Sequence, residues 1–157
     1  MGTRSVIGVL HGDKAKTVYC HWDGYLEHNG RILLEHYDSP KANQLVALGD
    51  ISSLGSEIGE KHDVDVRFTE GAIGENWTKF YGRDCGEEGV DFKVCHSADE
   101  MFEQYQWCEY FYIMKDGTWY VSQGPDTGWK VLSEAIREEE TGGYINGIAY
   151  SSDLVTV

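Results

Sequence analysis

Basic side chains are scarce in this sequence. Thirteen Lys and Arg stand against 27 Asp and Glu in 157 residues, a formal net charge of −14. The shortage is uneven: residues 1–83 hold 9 basic and 12 acidic side chains, whereas residues 84–157 hold 4 and 15. Such a surface repels phosphate and lacks the basic face that supplies most nucleic-acid affinity, so no direct nucleic-acid partner is expected. It attracts basic partners instead. Proline is almost absent, at 2 residues, so turns fall to the 19 glycines. No apolar run approaches the roughly 18 residues of a membrane span, and no membrane partner is expected. The opening Met1-Gly2-Thr3-Arg4-Ser5 lacks the apolar stretch of a secretion signal, and Val6 stands where a myristoylation signal needs Ser or Thr. A cytoplasmic location is therefore expected. The cysteines, Cys20, Cys85, Cys95 and Cys108, form no CxxC pair and are expected to be free thiols.

The chemical signatures of common enzymes are missing as well. Zinc needs three or four converging ligands, usually with one close pair. Cys20-His21 and Cys95-His96 are adjacent residues on strand-like segments, so their side chains point to opposite faces and cannot readily share an ion. No metal or other cofactor is expected. A Cys–His catalytic pair built on Cys20 is formally available, but no nucleophile elbow or thiol-protease signature accompanies it. Asp63 and Asp65 share a strand face that suits either a divalent cation or plain solvent. Gly82 to Gly89 (GRDCGEEG) has glycines, but its acidic residues would repel phosphate.

What the sequence does contain is alternation and turn chemistry. Ser5–Leu10 and Thr17–Trp22 read as an N-terminal hairpin. Asn29 is placed to cap a helix over Arg31–Tyr37, and Ser39-Pro40 to open another that stops at Gly49. Asp50–Glu60 reads as loop. His62–Phe68 alternates like a half-buried strand, and a short strand fits Thr78–Tyr81. Val90–Cys95 is strand-like, and Ser97 with Glu100 forms a capping box for a helix to about Tyr105. Asp116-Gly117 between Glu109–Lys115 and Thr118–Ser122 is the strongest hairpin signal. Trp129–Glu140 reads as helix and Tyr144–Tyr150 as a last strand. The expected fold is one α+β domain spanning 1–157, an antiparallel sheet with several short helices packed on one side.

Aromatics are the densest feature after charge. Tyr110 and Tyr112 share one strand face, Phe111 and Ile113 the other, with Trp119 and Val121 across the turn. Either the sheet is buried on both sides, or one face shows aromatics rimmed by Glu109, Asp116 and Asp126, which suits a partner with apolar knobs and basic groups. Three glutamates at 138–140 end a helix against its macrodipole, a placement that costs stability and marks the acidity as useful.

The start Met1–Ser5 and the segment Tyr19 to Tyr25 (YCHWDGY) resemble a group of small proteins found in bacteriophage genomes and some bacteria. The resemblance covers about the first 37 residues. It carries no known chemistry and transfers no catalytic residue; it implies a phage accessory protein, a class that often inhibits host enzymes or defence systems.

The leading expectation is thus a binding protein that docks on a basic host protein, with its acidity standing in for nucleic-acid charge. Glu87, Glu88, Asp91, Glu138, Glu139 and Glu140 are the expected contact charges, and Trp107, Trp119 and Trp129 the aromatic anchors. One alternative is a protein that sequesters a nucleotide-like signal, with Arg4, Arg31, Arg67 or Arg83 on its phosphates. Another is a small hydrolase using a Cys/His pair or carboxylates on a metal.

Overall fold

The computed structural model describes residues 2–61 and 76–141. Two strands open the chain. β1 (Ser5–His11) and β2 (Lys14–Cys20) pair antiparallel through a two-residue turn with Gly12 at φ 61°. A wide π-type helical turn, Leu26–Gly30, runs into α1 (Arg31–His36), followed by α2 (Ser39–Ala47). β3 (Ile51–Ser53), β4 (Lys79–Phe80), α3 (Tyr81–Cys85) and β5 (Lys93–Cys95) are short. α4 (Ala98–Gln104), β6 (Tyr110–Lys115), β7 (Thr118–Ser122), β8 (Trp129–Val131) and α5 (Leu132–Thr141) complete the described chain.

The eight strands form one sheet in the order β4-β3-β2-β1-β6-β7-β8, with β5 also on β2. The α+β class is as expected, but the sheet is mixed: β1 runs parallel to β6, and β2 to β3. Hydrophobic alternation is blind to strand direction, which is set by long connections.

Period-two alternation sorts the strands into two faces. Ile7, Val9, Val18, Tyr112, Met114 and Trp119 meet Leu33 of α1, Leu45 and Val46 of α2, and Leu132 and Ile136 of α5. On the opposite face Val6, Ala15, Phe111, Ile113 and Trp129 meet Met101 and Phe102 of α4. Helices therefore cover both faces rather than one. Each fully buried large apolar side chain contributes about 1.5–3 kcal/mol, so neither layer is dispensable.

Local signals resolve unevenly. Asp116-Gly117 makes the tight hairpin turn with both residues at positive φ, 51° and 81°. Ser97 caps α4 by accepting the Glu100 N–H at 3.0 Å. The α2 cap is Asp38, one residue before Ser39, with its carboxylate on the Lys41 N–H at 3.0 Å. Asn29 caps nothing: it is fully buried as a polar anchor. The expected loop at 50–60 contains β3, and the expected helix from Trp129 begins as β8, because Ser122 and Tyr120 offer Trp129 and Val131 a strand edge. The strands expected at His62–Phe68 and Tyr144–Tyr150 lie outside the described residues.

Candidate functional site

Strand register decides where the exposed aromatics gather. Ser5 pairs with Cys20 and with Tyr110, so β1 and β6 begin where β2 ends. Residues 2–4, 21–25 and 105–109 therefore leave the sheet side by side. Backbone bonds fix them: Gly24 N–H donates to Thr3 O at 2.7 Å, Glu109 N–H to Arg4 O at 2.9 Å, and Trp22 N–H to Ser52 O at 3.1 Å.

Two tryptophans project from these segments. Trp22 is 43% exposed and Trp107 52%, and Tyr25 beside them is 41% exposed. A chain of ring contacts joins the tryptophans. His21 lies edge-on to Trp22 at 4.6 Å between centroids and to Tyr19 at 5.9 Å, and Tyr19 lies edge-on to Trp107 at 6.3 Å. Such edge-to-face contacts hold exposed rings in place at little entropic cost. Gly2 backs the platform: a Cβ there would come within 2.6 Å of the Trp22 ring.

Polar contacts orient the middle of this row. Tyr19 Oη and His21 Nδ1 share a hydrogen bond of 2.7 Å. The Tyr19 N–H donates to Asp50 Oδ1 at 2.9 Å. Burial pushes the Tyr19 hydroxyl up to about 12, against the lowering field of Arg4, so it stays neutral at physiological pH. Burial also raises the Asp50 carboxyl. Acidic groups lie near the platform. Glu109 is exposed beside it, and Asp50, which accepts from the Tyr19 N–H, donates its own N–H to Val90 O at 2.8 Å, next to the exposed Asp91.

The layer beneath is anchored by Asn29. Its Nδ2 reaches Ser5 Oγ at 3.3 Å, Cys20 Sγ at 3.3 Å and Trp22 O at 3.2 Å, while Oδ1 meets His28 Nδ1 at 2.9 Å. Tyr112 Oη donates to Gly24 O at 2.5 Å. The platform is thus tied to the core at two points.

Of the expected anchors, Trp107 is at the surface. Trp119 and Trp129 are core residues, 4% and 0% exposed, because both sheet faces are covered; the Trp119 indole donates to Tyr37 O at 2.9 Å. As folded, neither indole can touch a partner. Glu87, Glu88 and Asp91 are exposed together between α3 and β5. The glutamates at 138–140 divide. Glu138 holds Lys130 at 2.8 Å and Glu140 pairs with Arg31, while Glu139 is exposed.

The arginines divide too. Arg31 binds Glu27 at 3.0 Å, Glu35 at 3.1 Å and Glu140, a structural hub. Arg83 is committed to Asp84 at 2.9 Å and to the carbonyls of Thr78 and Gly59, over the Phe80 ring. Arg4 is exposed at the platform. Arg67, with Asp63 and Asp65, lies outside the described residues.

Three of the thiols are buried: Cys20, Cys95 and Cys108. Burial pushes Cys20 and Cys108 up to about 12, and it raises Cys95. A protonated thiol is a poor nucleophile. Asn29, not a histidine, approaches Cys20, so this pair lacks a base. Among the described residues no three His, Cys, Asp or Glu side chains converge as metal ligands.

The chain matches no protein-family model, no curated protein and no solved structure.

Proposed function

We propose that this chain is an acidic protein-binding module, and that it docks a basic partner through the Trp22–His21–Tyr19–Trp107 platform. The observation that carries the reading is the convergence of the two exposed tryptophans, 43% and 52% accessible, on one ordered row of rings. Rigid tryptophans at a surface are the residues that most often dominate binding energy, and carboxylates around them steer a cationic surface into place. Glu87, Glu88, Asp91 and Glu109 supply that charge; Glu138 and Glu140 spend theirs inside the fold. The N-terminal resemblance implies a phage-encoded inhibitor of a host enzyme or defence protein, working inside the host cytoplasm, and a charge of −14 suits occlusion of a nucleic-acid channel.

The test is capture of a partner by tagged protein, followed by affinities for purified variants at low and high salt. Replacing Trp22 and Trp107 together by Ala removes two candidate anchors, each worth about 2–4 kcal/mol at a hot spot, a loss of about 30-fold for one at the low end and about 1,000-fold for both. Glu139→Lys and Glu87→Lys should weaken binding mainly through a slower, less salt-sensitive association. Unchanged affinity of the double tryptophan variant would place the interface elsewhere.

A second reading has its own observation. Arg4, alone among the candidate arginines inside the described residues, is exposed beside the aromatic row. A base stacked on Trp107 with its phosphate on Arg4 would make the site a nucleotide trap. Denaturing purified protein and finding a released nucleotide would favour that reading over docking.

A further inference from the structure

Beside the platform, on the other side of the 105–109 loop, lies a cleft of about 430 Å³. Its floor is apolar: Phe102 and Phe111, edge-to-face at 4.9 Å between centroids, with Cys108 alongside. Its mouth carries Asp99 and Glu103, one helical turn apart on α4, and the amides Gln106 and Gln123. Among the described residues no cationic side chain lines it, and Arg4, whose field reaches Cys108, stays outside. An apolar-floored cleft with two exposed carboxylates on its rim has the chemistry of an alkylammonium receptor. The hydrocarbon stem lies along the rings, and the ammonium at its end donates to the rim carboxylates.

We infer that this cleft receives a lysine side chain of the protein partner that sits on the platform. The inference rests on the docking reading for the source of the lysine. Charge complementarity selects a cation. Lysine fits better than arginine, because Asp99 and Glu103 are stacked along a helix rather than laid out as one coplanar fork, and a compact ammonium meets such oxygens from several directions. Gln106 and Cys108 line the cleft while Trp107 between them touches Tyr19, so one loop serves both sites.

The test needs no partner. Nitrogen-15 spectra of the full chain are titrated with N-acetyl-lysine methylamide and, separately, with N-acetyl-norleucine methylamide, which has the same stem without the ammonium. Saturable shifts at the Gln106 and Gln123 side chains and along α4 are expected for the lysine compound. The norleucine compound should bind at least about tenfold more weakly, the effect of one charge-assisted contact. Glu103→Gln, at an exposed helical position, should lower lysine affinity by a similar factor. Gln106→Lys, which places a competing ammonium at the mouth, should do the same without altering the circular dichroism. Equal binding of both compounds, or shifts confined to other surfaces, would overturn the inference. Loss of lysine recognition with partner binding intact would refute only the cleft, whereas failure of the tryptophan variants to lose affinity would refute the platform.

Discussion

Asn29→Ala is the substitution that most directly tests how the platform is held. The Asn29 side chain is fully buried, and its amide stands within reach of Ser5 Oγ, Cys20 Sγ and Trp22 O. Two amide hydrogens serve three acceptors, so two good bonds are the most it makes at once. Alanine removes the amide donor from the Ser5 hydroxyl and from the Trp22 carbonyl, which keeps only the weak Cys20 thiol at 3.8 Å, at about 1–3 kcal/mol. The vacated space, about 40 Å³ at roughly 24 cal/mol per Å³, costs about 1 kcal/mol more. A total of about 2–4 kcal/mol lowers the Tm by about 5–15 °C for a chain of this size. Thermal and urea unfolding measure it. Hydrogen exchange supplies the local check: amides 22–30 should lose protection beyond the global change, since the residues that carry Trp22 are tied down here. A Tm change under about 2 °C, or exchange that rises uniformly, would refute the anchor role. Asn29→Asp should be worse than Asn29→Ala, because it buries a charge beside Cys20 and a carbonyl.

Two further outcomes follow from burial. In the native protein a thiol reagent at neutral pH should modify Cys85 rapidly and leave Cys20, Cys95 and Cys108 slow, with all four reacting after denaturation; fast labelling of Cys20 or Cys108 would contradict their burial. For Asp50, burial raises the folded pKa above the ordinary 3.8. The folded state therefore holds the proton more tightly than the unfolded one, and the stabilisation is complete below 3.8 and lost as pH rises through the folded value. Asp50→Asn keeps an oxygen for the Tyr19 N–H without the charge, so its urea midpoint should exceed that of the parent at pH 7 and converge on it in acid. A parent that is the more stable at pH 7 would reverse the sign and the argument.

Legibility in the sequence tracked the range of the interaction. The Asp116-Gly117 turn, the Ser97 N-cap and the N-terminal hairpin are decided by residues close in sequence, and all stand in the structure. The parallel pairing of β1 with β6 joins residues about a hundred positions apart, and no local pattern encodes it. Asn29 shows the same limit from the other side. Its polarity marks a cap when only neighbours are considered, yet its partners are Ser5 and Cys20, brought close by the hairpin. At the site, Trp107 was legible as the first member of the dense aromatic series that runs on to Trp129. Trp22, Tyr19 and His21 carried a signal only in the i, i+2 placement of Tyr19 and His21 on one strand face, next to a tryptophan at the strand end. No local pattern distinguishes that row from an ordinary strand, because what uncovers it is the end of the sheet.

The covering of both sheet faces restricts where the proposed binding surface can fall. Trp119 and Trp129 lie on strands whose two sides are closed by α5 and α4, and a partner reaching them would have to displace a helix. At the strand ends no helix among the described residues intervenes, and the residues that leave β2 and enter β6 can expose rings without opening the core. The acidic residues obey the same logic. Glu138 and Glu140, on a helix packed against the sheet, are drawn into ion pairs with Lys130 and Arg31, whereas Glu87, Glu88 and Asp91, on a connection between elements, keep their charge toward solvent. Reversing 138–140 as a block would mix lost stability with lost attraction. Glu139→Lys isolates the electrostatic contribution, because it leaves the Glu138–Lys130 and Glu140–Arg31 ion pairs in place.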